Sequence, residues 1–173
     1  MHKRIILVFS GYAALLIALI ALGLLSDGRK ALAGARQVAE REIQAVLDAQ
    51  VTAWNKGDLE GFMSGYWNSP ELSFFSAGQA TKGWQPTLDG YRKRYQSAGR
   101  EMGKLSFTDL QIERAGEEMA WVRGRWKLVT SKETPGGLFT LIFKKLPEGW
   151  RIVHDHTSAG APPSTQPSKS DKR

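Results

Sequence analysis

The sequence predicts an α+β domain, with helices first and an antiparallel sheet after them. Three observations carry this. Residues 35–56 space their apolar side chains for a helix, at Val38, Ile43, Val46, Leu47, Val51 and Trp54. From Lys104 onward apolar and polar residues alternate, the period of a half-buried strand. The strand candidates are separated by short turns at 115–118, 134–137 and 146–149, which suit antiparallel neighbours.

The elements follow in chain order. The first helix of the domain ends at Lys56-Gly57-Asp58, where Gly57 supplies a stop and Asp58 a fresh N-cap. A short second helix holds Phe62, Met63, Tyr66 and Trp67, and Pro70 ends it. Leu72 to Phe75 reads as a short strand. Pro86 opens a third helix in which Leu88, Tyr91 and Tyr95 share a face. Strands are expected at about 104–114, 119–131, 138–146 and 149–158, forming a meander. Helices followed by a run of strands make an α+β fold with one core.

The flanks differ from this body. Ile5 to Leu25 is uncharged and follows the basic start Lys3-Arg4. As a helix it rises about 30 Å, the thickness of a bilayer's hydrocarbon core. It is expected to anchor the chain through residues 5–25, with the domain on the non-cytoplasmic side of the cell membrane. The alternative is a cleaved signal, with Ala31-Leu32-Ala33 before Gly34 as the cut and a periplasmic or secreted product. Asp27, Arg29 and Lys30, between the run and that site, speak against cleavage. Ala161 to Arg173 holds three Pro and no large apolar residue, the composition of a disordered tail. The chain thus divides into an anchor or signal with linker (1–34), a domain (35–160) and a tail (161–173).

Charge and cysteine narrow the functional classes. The net charge is +7, yet residues 35–160 hold 17 Lys and Arg against 15 Asp and Glu. The excess sits in the flanks, so no basic groove for nucleic acid is implied. With no Cys there is no disulfide framework, thiolate metal site or thiol nucleophile. No glycine-rich phosphate loop, nucleophile elbow or zincin motif is present.

Trp54-Asn55-Lys56-Gly57-Asp58, Gly83-Trp84, Gly124-Arg125-Trp126, Gly137-Leu138-Phe139-Thr140-Leu141 and the closing run Trp150 to Ser158 stand in a suggestive order. In that order and spacing the chain resembles the NTF2-like superfamily over about residues 38–160. Within it, the chain is most similar to the DUF4440 and SnoaL-like group. The last motif, running on to Gly160-Ala161-Pro162, is also similar to the end of the calcium/calmodulin-dependent kinase II association domain. The resemblance implies a cone of three helices packed on a curved antiparallel sheet, a pocket at the open end, and homodimers built through the sheet. It implies no single function, because this fold hosts isomerases, cyclases, dehydratases, transport adaptors and oligomerisation modules.

The candidate site residues come from the strand phase and the aromatic excess. His154 and His156 share one face of the last strand, in phase with Trp150 and Ile152, so that face is expected to be concave. Both are candidate acid/base groups; the alternative is that a His is spent on backbone or a neighbouring carboxylate. Asp155 then faces away and pairs with Arg151 or Arg123. A metal is not expected, because zinc needs a third protein ligand and the remaining His is His2, in the leader. Tyr66, Trp67, Tyr91 and Tyr95 are candidates to line a pocket for a flat apolar ligand, while Trp54, Trp126 and Trp150 are assigned to the core. Arg125 is either a cation for an acidic ligand or a solvated arginine. Arg92-Lys93-Arg94 reads as a solvated face. The pattern of the ketosteroid isomerases, laid over this chain, falls near Phe74-Phe75, Gln50 and Thr140 and loses its base, its tyrosine and its acid.

Two functions from different classes follow. One is an exported or tethered module that binds a small apolar or weakly acidic ligand, or dimerises, without catalysis and without a cofactor. The other is an acid/base enzyme of the isomerase, cyclase or dehydratase type using His156, with His154 or Tyr95 assisting. Trp121, opposite in phase to Trp126, marks the outer sheet face as the dimer surface.

Overall fold

Gly57 shows how local chemistry starts the domain. In the computed structural model, α1 (His2–Asn55) stops before Gly57, which turns at φ 79°, a left-handed conformation open to glycine without strain. Asp58 then caps α2 (Leu59–Met63), its carboxylate accepting the Gly61 N–H at 2.8 Å. The structure describes residues 2–97 and 100–160, and the side chains of 28–96 and 100–160.

The chain forms two units, residues 1–39 and 40–173. In the first, the backbone is helical from His2, including 26–34 where a linker is expected. Ala, Leu, Lys and Arg at 29–33 are strong helix formers, and Gly28 and Gly34 each cost only about 1 kcal/mol. The side chains of Ile5–Leu25 and all of 161–173 lie outside the described residues, and with them the expected span and tail. Among the residues described in full, no helix is long and apolar enough to cross a membrane.

In the second unit, α1 buries Ile43, Leu47, Gln50 and Trp54, one stripe of a 3.6-residue period. Val38, expected on the apolar face, belongs to the first unit and is 51% exposed. The second helix is shorter than its apolar spacing predicts. After Met63 the backbone pairs with the sheet instead: Ile152 donates to the Gly65 carbonyl at 3.0 Å and Trp67 to the Ile152 carbonyl at 2.9 Å. A hairpin follows, β1 (Ser73–Ser76) and β2 (Gln79–Lys82). Its turn, Ala77-Gly78, has φ 52° and 75°, the type I′ signature. Sequence reading misses β2, because Gln79-Ala80-Thr81-Lys82 shows no apolar alternation. Next, α3 (Trp84–Tyr91) begins two residues before Pro86, which occupies the first turn, where its missing N–H is not needed. One turn of π-helix, Arg92–Ser97, continues it.

Four long strands complete the domain: β3 (Lys104–Arg114), β4 (Met119–Val129), β5 (Gly136–Leu146) and β6 (Gly149–Thr157). The sheet order is β2-β1-β6-β5-β4-β3. The meander β3 to β6 is antiparallel, as expected, but β1 lies parallel to β6, so the sheet is mixed. These two strands are far apart in sequence, and no tight turn dictates their direction. Two bulges interrupt the ladders. One lies on β3 between Thr108 and Gln111, where Asp109 takes φ 55°. The other lies on β6, where Ile142 pairs His154 but Phe143 pairs Ile152, leaving Val153 as the extra residue.

The motifs are structural staples. Trp54 Nε1 donates to the Met102 carbonyl at 3.0 Å, Trp84 Nε1 to Met63 at 2.9 Å and Trp126 Nε1 to Ser158 at 2.9 Å. Asn55 acts as a strand edge in miniature. Its side chain donates to the Leu105 carbonyl at 3.1 Å and accepts the Leu105 N–H at 2.8 Å. At Gly137 a Cβ would collide with the Ser158 carbonyl oxygen, so β5 and the end of the domain approach only through glycine. Trp54 and Trp150 are core residues, whereas Trp126 is only half-buried.

Candidate functional site

A cavity of about 250 Å³ opens in the second unit, with nine aromatic side chains in its lining. Trp54 stands edge-on to Phe62 at 5.1 Å and to Tyr95 at 5.0 Å between ring centroids. Tyr91 meets Phe62 at 5.5 Å and Phe74 at 5.9 Å, and stacks on Tyr95 with an interplanar angle of 20°. Phe107, Trp126, Phe139 and Leu141 line it from the sheet, and Gln50 from α1. Such a surface suits a flat apolar body.

One carboxyl stands among these rings. Asp155 is 4% exposed; its Oδ2 accepts the Tyr66 hydroxyl at 2.8 Å and its Oδ1 the Thr157 hydroxyl at 2.6 Å. Burial pushes its pKa up to about 6, against the pull of the Thr157 and Tyr66 hydrogen bonds and the nearby His156. Burial also raises the phenols of Tyr66 and Tyr91, and the charge of Asp155 raises them further. The result is a pocket holding a buried carboxyl that exchanges its proton near neutral pH, with a phenol hydrogen-bonded to it.

This corrects the expected phase of the last strand. Trp150 and Ile152 point inward, as predicted, but the bulge at Val153 shifts the period by one residue. Beyond it Asp155 and Thr157 face the cavity, while His154 and His156 face out. His156 is exposed and stands edge-on to Phe75 at 6.0 Å. His154 is half-buried, with Nδ1 at 2.5 Å from the Ser73 hydroxyl. Burial, then the neighbouring His156, lowers its pKa. Neither histidine lines the cavity. Asp155 pairs with neither Arg151 nor Arg123: Arg123 is held by Glu113, and Arg151 donates to the Trp150 carbonyl. A signal was present, since the adjacent apolar pair Ile152-Val153 breaks strict alternation.

The other candidates divide. Tyr66, Tyr91 and Tyr95 line the cavity. Trp67 does not, because its backbone is drawn onto β6 and its ring leaves the lining. Arg125 lies on the outer face of β4, exposed and ion-paired to Asp109 at 3.2 Å, so it is a surface arginine. Arg92 pairs with Glu60, and Lys93 and Arg94 are exposed, as a solvated face requires, but Arg94 also lines the cavity. Arg94 sits in the π turn, between the two stacked tyrosines in sequence. Phe74, Thr157 and Gln50, which sequence reading did not assign to a pocket, also line it, as do the polar Ser76, Gln79, Thr81 and Thr87. Among the described residues no group of three or more His, Asp or Glu is placed to hold a metal.

Comparisons with known proteins agree with this architecture. The family model for the SnoaL-like domain matches residues 43–162. An NTF-2-like protein of unknown function from Shewanella oneidensis is 39% identical, with TM-score 0.65, over 69% of this chain and 98% of its own. An NTF2-like superfamily protein from Salmonella enterica is 21% identical, with TM-score 0.59, over 79% of this chain and 99% of its own. A Thiobacillus denitrificans protein described as a calcium/calmodulin-dependent protein kinase type II association domain is 21% identical, with TM-score 0.58, over 68% of this chain and 94% of its own. The last two likenesses concern the fold alone. No curated protein matches.

Proposed function

This chain belongs to the SnoaL-like domain family of the NTF2-like superfamily, and from its own site we propose that it binds one small, flat, largely apolar molecule inside the cavity, with Asp155 as the polar anchor. One observation carries this: a single carboxyl, buried and bonded to Tyr66 and Thr157, stands in a lining made otherwise mostly of rings and aliphatic groups. A core needs no such group, and burying a carboxyl costs stability here even though two hydroxyls bond it, since burial still raises its pKa. The test is a native mass spectrum of protein purified from its source. The expected spectrum shows one additional small mass per subunit, released on unfolding. A bare polypeptide mass would overturn the reading.

A second reading, acid/base catalysis on that ligand, is favoured by the Asp155 pKa of about 6. A carboxyl there is ionised enough to take a proton at neutral pH and basic enough to hold it. The role passes from His156 to Asp155, since the histidines lie on the other face.

Two further proposals concern place and assembly. Ile5–Leu25 tethers the domain outside the cytoplasm. A reporter active only outside the cytoplasm, fused after Arg173, is expected to give signal, and the protein to stay in carbonate-washed membranes. Signal from a cytoplasm-only reporter would sink the proposal. The domain pairs with a second copy through the outer sheet face, where Trp121 is 37% and Leu138 53% exposed. Light scattering at micromolar concentration is expected to give twice the subunit mass, and a monomer mass counts against it.

A further inference from the structure

Resting on the cavity reading above, we infer that the bound molecule is an anion: a flat acid of about two fused rings, its carboxylate on Arg94 at the cavity mouth and its rings against Trp54, Tyr91 and Tyr95.

The charge inventory of the cavity points this way. Among the described residues, Arg94 is the one cation lining it and Asp155 the one carboxylate. They stand at different depths: Asp155 is buried and Arg94 exposed to solvent. The cavity therefore has a polarity, cationic outside and acidic within.

Arg94 is also unspent. Its neighbour Arg92 is held by Glu60 and lies 3.6 Å from Asp89. Arg125 is paired with Asp109, and Arg123 with Glu113. Arg94 has no ion-pair or hydrogen-bond partner among the described residues. Its charge is instead felt by the Tyr91 phenol, whose pKa it lowers against the larger upward push of burial. A guanidinium at the rim of an aromatic slot, with its fork of N–H donors free, matches a planar carboxylate bidentately. Its low hydration cost suits a half-open mouth.

Size sets the rest. An apolar cavity of about 150 Å³ holds one benzene, so 250 Å³ accommodates a second fused ring. The stacked pair Tyr91 and Tyr95, 6.3 Å apart and on either side of Arg94 in sequence, lines the same cavity as the cation. A neutral ligand of the same shape would leave Arg94 unused, and a cation would meet it as a like charge.

The test is calorimetric titration of the full chain with 2-naphthoate and with 2-naphthamide, equal in shape and differing in charge. The carboxylate is expected to bind about ten-fold tighter, the scale of one charge-assisted hydrogen bond. In Arg94→Gln, with its melting temperature checked against the parent, the two are expected to bind alike, at the affinity of the amide. Equal binding of both by the parent protein would overturn the anion inference and leave the cavity reading standing. A preference that survives in Arg94→Gln would overturn it too. Binding of neither to the folded protein would overturn the two-ring anion inference, while the native mass spectrum decides the cavity reading separately.

Discussion

Asp155→Asn is expected to make the protein more stable than its parent at pH 8, by up to about 3 kcal/mol. The carboxyl is 4% exposed, and burial raises its pKa from 3.8 to about 6. The folded state therefore holds this proton more tightly than the unfolded chain does. Stability from this group is fully present below about pH 4 and is lost as pH climbs through about 6. A difference of about 2 pKa units, at 1.36 kcal/mol each, sets the size. Asn cannot ionise, so the variant escapes that loss. It also keeps the hydrogen bonds: its carbonyl can accept from one of Tyr66 and Thr157 while its amide donates to the other hydroxyl. The measurement is urea denaturation of both proteins at pH 4, 6 and 8. The gain of the variant over the parent should grow across that range and then level off. A variant that gains nothing between pH 4 and pH 8 would show that Asp155 ionises as freely in the fold as in water. The same change is expected to abolish turnover, should the cavity carry acid/base chemistry. A residue that costs stability where the protein works is the mark of a site rather than of a core.

The second large effect is structural. Asn55→Ala is expected to destabilise the domain by about 2–4 kcal/mol. The Asn55 amide satisfies both backbone groups of Leu105, a residue only 8% exposed. Truncation leaves a buried N–H and a buried C=O without partners, each costing about 1–3 kcal/mol. Asn55→Asp retains the bond from the Leu105 N–H but sets an anion against the Leu105 carbonyl, so it should be little better. Urea titration measures both. A loss below about 0.5 kcal/mol in the alanine variant would show that water replaces the side chain there.

The residues that carry the family resemblance are mostly residues of this second kind. Trp54, Asn55, Gly57, Asp58, Trp84, Trp126 and Gly137 hold backbone segments against one another, and their spacing makes the fold legible. The site is written elsewhere. Asp155 stands in a motif that attracts attention for its histidines, and Arg94 in a run that reads as solvated surface.

Taken alone, the sequence determined the order of the elements apart from β2, the stop at Gly57, the cap at Asp58 and the four long strands to within a few residues. These features rest on local physics: side-chain period, turn chemistry and capping act over a few residues and leave their signature in the same few residues. Tertiary structure alone decided that β1 runs parallel to β6, that a π turn carries Arg94 to the cavity, and that Val153 bulges out of β6. Each depends on which partner strand or helix is present, and no local rule names a partner. The bulge mattered most. A strand's period is two, so a single extra residue exchanges its faces, turning both histidines outward and bringing Asp155 into the cavity.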